Sequence, residues 1–66
     1  MELPRILYNG KWYIFDYRLS ELRTTTKTGI RSINLNNSEL ELLDYALKIK
    51  DKDLIMSNMK ELKYKL

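Results

Sequence analysis

Leu3-Pro4-Arg5-Ile6-Leu7-Tyr8-Asn9-Gly10-Lys11-Trp12-Tyr13-Ile14-Phe15-Asp16-Tyr17 is the stretch on which the fold turns. Two runs of aliphatic and aromatic residues flank Asn9-Gly10, a dipeptide that favours the two positive φ angles of a type I′ turn. The pattern predicts a β-hairpin with a two-residue loop. Such a loop pairs Tyr8 with Lys11, Leu7 with Trp12, Ile6 with Tyr13 and Arg5 with Ile14. Strand side chains alternate, so Ile6, Tyr8, Lys11, Tyr13, Phe15 and Tyr17 share one face, and Arg5, Leu7, Trp12, Ile14, Asp16 and Arg18 share the other. Neither face is cleanly polar. One must pack on the rest of the chain, and the other leaves apolar area uncovered. Pro4 has no N–H for a ladder, which starts the first strand near Arg5 or places it at a sheet edge.

Downstream of the hairpin, Asp16-Tyr17-Arg18-Leu19-Ser20-Glu21-Leu22-Arg23 admits two readings. Asp16 can cap a short helical turn carrying Leu19 and Leu22 at i, i+3, or the strand can run on with Tyr17, Leu19 and Glu21 alternating. The short helix is preferred. Thr24 to Gly29 reads as a polar loop, kept extended by its β-branched threonines. Ile30 to Leu35 makes a third strand in which Ile33 and Leu35 alternate with Ser32 and Asn34. Asn36-Asn37-Ser38 ends it, and Ser38 with Glu41 forms an S-x-x-E capping box. The helix that follows carries Leu40, Leu43 and Leu47 on one stripe and ends near Lys50. Asp51 or Asp53 can cap a second helix whose Ile55, Met59, Leu62 and Leu66 fall on one face. A single bent helix over 39–65 is the alternative. The expected architecture is one α+β domain over 1–66, an N-terminal hairpin extended to a three-stranded antiparallel sheet and packed against two C-terminal α-helices.

Composition narrows function mainly by exclusion. Sixty-six residues without cysteine or histidine leave no disulfide, thiolate nucleophile, imidazole base or finger-type zinc site. Glu39 and Glu41 stand about 200° apart on a helix, so they do not form an acid–base pair. Gly10 and Gly29 are isolated, with no phosphate-cradling motif around either. The expectation is a protein that is not an enzyme and uses no cofactor and no metal. No apolar run is long enough to span a membrane, and the N-terminus lacks the basic-then-apolar order of a secretory signal. A cytoplasmic, non-membrane location follows as the expectation.

The net charge of +3 is unevenly placed. Residues 1–31 hold six basic and three acidic side chains, including all four arginines, whereas residues 32–66 hold six lysines against six acids. Arginine's planar fork suits phosphates and base edges. Basic groups interleaved with aromatics on a small sheet are what binding to single-stranded nucleic acid requires. This reading makes nucleic acid the first-choice partner, with Arg5, Lys11, Arg18, Arg23, Lys27 and Arg31 on phosphates and Trp12 or Tyr13 stacking on bases. The rival is a protein-interaction module, a homodimer or a small adaptor or inhibitor of a larger complex. It would use Leu7, Trp12 and Ile14 on the second sheet face, or the stripe of Ile55, Met59, Leu62 and Leu66. That same stripe can equally close the core.

Tyr13-Ile14-Phe15-Asp16-Tyr17-Arg18-Leu19-Ser20-Glu21-Leu22-Arg23 resembles the Y-F-V-D-x-R-L-x-E-L-R stretch of small uncharacterised archaeal proteins, over about a sixth of the chain. The resemblance implies an archaeal or archaeal-virus origin and supplies no activity.

Overall fold

The computed structural model describes residues 2–66. Six elements follow in chain order: β1 (Arg5–Tyr8), β2 (Lys11–Asp16), β3 (Glu21–Thr26), β4 (Gly29–Asn34), α1 (Asn37–Lys48) and α2 (Lys52–Glu61). The strands form one antiparallel meander in the order β1-β2-β3-β4, with both helices against one face.

The hairpin has the expected register. Arg5 lies opposite Ile14, Ile6 opposite Tyr13, Leu7 opposite Trp12 and Tyr8 opposite Lys11. Asn9 and Gly10 both take positive φ, 52° and 78°, as a type I′ turn demands.

The sheet has four strands rather than three, because the segment after Asp16 is strand and not helix. Asp16 does cap a turn: its Oδ1 accepts the Leu19 N–H at 3.1 Å. The turn does not propagate, because Ser20 adopts φ 52° and the chain reverses into β3. Thr24 to Thr26, expected as loop, are the end of that strand, where β-branched side chains suit a pleated surface. The Thr24 side chain is buried, and its hydroxyl donates to the Trp12 carbonyl at 2.8 Å. Only Lys27 and Thr28 remain as the connection to β4.

The helices number two. α1 opens one residue pair earlier than expected: Asn36, not Ser38, is the N-cap. Its side chain accepts the Glu39 N–H at 2.8 Å while the Glu39 carboxylate accepts the Asn36 N–H at 2.9 Å. The box is the predicted motif with asparagine in place of serine. α1 ends in Lys50 at φ 56°, with the Lys50 N–H donating to the Leu47 carbonyl and the Asp51 N–H to that of Ala46. This is a Schellman closure. Asp51 then caps α2 by accepting the Leu54 N–H at 3.1 Å. One residue thus finishes one helix and starts the next.

The core lies between the inner sheet face and the two helices. Ile6, Tyr13, Phe15, Leu22 and Ile33 meet Leu40, Leu43, Met59 and Leu62, with Phe15, Leu22, Leu43 and Met59 fully buried. Ile55 and Leu66 pack at its margin. Within the stripe of Ile55, Met59, Leu62 and Leu66, Met59 and Leu62 close the core, whereas Ile55 and Leu66 stay half-buried at its edge. No helix among the described residues is long and apolar enough to cross a membrane.

Candidate interaction surface

Period-two alternation sends one set of strand side chains into the core and leaves its complement on a face that no helix covers. Across that open face the residues fall into three rows. At the Asn9-Gly10 end stand Leu7, Trp12, Thr25 and Ile30, with Leu7 opposite Trp12 and Thr25 opposite Ile30. The middle row is Arg5, Ile14, Arg23 and Ser32, and the far row is Asp16, Glu21 and Asn34. The first row is markedly exposed for its chemistry: Trp12 is 59% accessible, Leu7 49% and Ile30 74%. Arg5, Trp12, Ile14, Arg23, Thr25 and Ile30 line one shallow recess there.

The charges of this face are internally balanced. Arg23 Nη1 lies 2.9 Å from Asp16 Oδ2 and 3.0 Å from Glu21 Oε1. The bond from Arg23 holds the Asp16 carboxyl below its ordinary value against the opposing effect of burial, with help from the Leu19 N–H. The same two carboxylates raise the Arg23 guanidinium. Two arginines and two carboxylates make the face formally neutral, and Arg5 is its one cation without an ion-pair partner among the described residues.

The residues expected to bind nucleic acid are spread around the molecule. Arg5, Trp12 and Arg23 come together on the open face. Tyr13 does not join them, since it is 4% exposed and packs in the core. Lys11 lies instead on the helix side of the hairpin, lining a recess with Tyr8, Tyr13 and Lys63. Arg18 sits in the β2–β3 turn and Lys27 in the β3–β4 turn, at opposite ends of the sheet. Arg31 is occupied structurally: its guanidinium donates to the Lys65 carbonyl at 2.7 Å and to the Leu66 carbonyl.

That last contact belongs to a polar clasp invisible in the sequence because it joins residues far apart in the chain. Lys65 Nζ lies 2.6 Å from Glu39 Oε1 and donates to the Asn34 carbonyl at 2.9 Å, and the Tyr64 hydroxyl donates to Glu39 Oε2 at 2.7 Å. Burial alone would raise the Glu39 carboxyl, but Lys65, the Asn36 N–H and the Tyr64 hydroxyl outweigh it and lower it. The clasp also covers part of the outer edge of β4.

Among the described residues, no group of three or more acidic, histidine or cysteine side chains is placed to hold a metal ion. Compared with known proteins, the chain matches no family model, no curated protein and no solved structure.

Proposed function

We propose that this protein is a non-catalytic module that binds another protein through the open face of its sheet. The observation that carries this reading is the uncovered apolar row of Leu7, Trp12 and Ile30 on a face whose charges cancel. Exposed apolar area rimmed by polar groups is characteristic of protein contact surfaces, and tryptophan and arginine are the side chains such surfaces favour. Nucleic acid is the second reading, supported by the placing of Trp12 beside Arg5 and Arg23. It is the weaker one, because phosphate-dominated affinity needs unpaired cations gathered on one surface. Here Arg23 is neutralised, Arg31 is engaged, and Arg18 and Lys27 lie far apart.

Trp12 is the sole tryptophan, so its fluorescence reports directly on this face. Titration with single-stranded oligonucleotides at about 50 mM salt should leave its emission unchanged, whereas saturable quenching that weakens with added salt would replace the protein reading with the nucleic-acid one. Affinity capture from nuclease-treated host extract should retain a partner on the wild type and lose it on Trp12→Ala with Ile30→Ser. Equal retention by both removes the open face as the contact surface.

A further inference from the structure

The two edges of the sheet are not equivalent. On β4 the outer side is partly covered by the C-terminal clasp, with Lys65 on the Asn34 carbonyl. On β1 the Phe15 N–H donates to the Pro4 carbonyl, and the two-residue turn closes on Tyr8 and Lys11. Hydrogen bonding alternates along an antiparallel strand, so Pro4, Ile6 and Tyr8 face β2 while the backbone groups of Arg5 and Leu7 face outward. Among the described residues, nothing pairs with them. Unpaired edges of this kind template the addition of a strand, and proteins ordinarily blunt them.

Beside this edge, between β1 and α2, runs a groove of about 480 Å³. Its apolar lining is Ile6, Leu7 and Trp12 from the hairpin and Leu47, Ile55 and Met56 from the helices, joined by Arg5 and Lys52 and by no acidic residue. Neither cation has an ion-pair partner among the described residues. We infer that β1 accepts an extended segment of a partner protein as a fifth strand, seating an apolar side chain against Ile55 and Met56 and an acidic group against Lys52 and Arg5. Main-chain pairing supplies affinity in this mode of recognition, and alternate side chains in the groove supply selectivity. The inference rests on the protein-binding reading and gives the partner's chemistry.

A phage-displayed library of random nonapeptides, selected on the full chain, provides the probe. Enriched peptides should alternate apolar residues and carry an acidic one. In the 15N spectrum a selected peptide should shift Arg5, Leu7, Lys52, Ile55 and Met56 and protect the Arg5 and Leu7 amides from exchange. Lys52→Glu should weaken it by about tenfold, as loss and reversal of a contacting charge does. N-methylation of alternate peptide amides should abolish binding in one phase of alternation and spare it in the other. No enrichment, enrichment of basic peptides, indifference to N-methylation, or shifts confined to Arg23 and Ile30 would each overturn the inference. A protein partner lost by Trp12→Ala with Ile30→Ser but unaffected by Lys52→Glu would leave the open-face reading standing while removing the edge.

Discussion

Asp16 shows how one side chain serves both the turn and the open face. It lies at the end of β2, where one oxygen accepts the Leu19 N–H and the other faces Arg23. Both bonds favour the ionised form, so its carboxyl is lowered, first by Arg23, against the effect of burial. Glu39 is lowered as well, its bonds to Lys65, Asn36 and Tyr64 outweighing a burial that acts the other way. A lowered native value means stability that is fully present above the unfolded values, about 3.9 for aspartate and 4.3 for glutamate, and lost as pH falls through the native ones. The urea midpoint should therefore be flat from neutral pH to about pH 5 and drop below about pH 4. Asp16→Asn should lower the midpoint at pH 7 and flatten the acid drop; a drop parallel to the wild type would show that Asp16 does not contribute to it. Asn36→Ala, which deletes a cap in the same neutral-pH range, should cost about 1 kcal/mol with no change in pH profile, measured by the same urea series.

At the scale of elements, legibility in the sequence followed the range of the forces. The first hairpin is specified by two adjacent residues and an alternation of period two, all local, and its register was readable in full. β3 was not, because Asp16 carries a true cap signal and Leu19 and Leu22 have helical spacing. What overrides them is tertiary: Leu22 reaches full burial only if the chain is strand, which leaves Leu19 exposed in the turn. The three threonines were the local sign of a strand. The open face was legible as a set of residues, since Arg5, Leu7, Trp12 and Ile14 follow from alternation. Its row order and charge balance depended on β3 and were not. The helix break is an element-level device as well, built on Lys50 at positive φ. A Cβ is strained there and glycine is not, so Lys50→Gly should stabilise by about 0.5–1 kcal/mol while Lys50→Ala should not, as read from urea midpoints. Equal effects of the two would mean that the lysine side chain, rather than the backbone angle, governs the turn.

The whole molecule sets a contrast between residues that hold the fold and residues left over by it. A chain of 66 residues without disulfides has a single small core, and such cores rarely yield more than about 3–5 kcal/mol. Met59 is fully buried between the helices and the sheet. Met59→Ala removes its packing and leaves a cavity, at a cost of about 2–5 kcal/mol, which is most of the available stability. Circular dichroism should show that variant largely unfolded at room temperature, whereas the smaller truncation Met59→Leu, close to volume-conserving, should stay folded. Trp12 is the largest apolar side chain outside the core, and its exposure means that folding gains little from it. Trp12→Ala should shift stability by less than about 1 kcal/mol, the scale of one cross-strand pair, while removing the partner retained by the wild type. If Trp12→Ala unfolded the chain as Met59→Ala does, the tryptophan would be a structural residue and the binding role of the open face would fall with it.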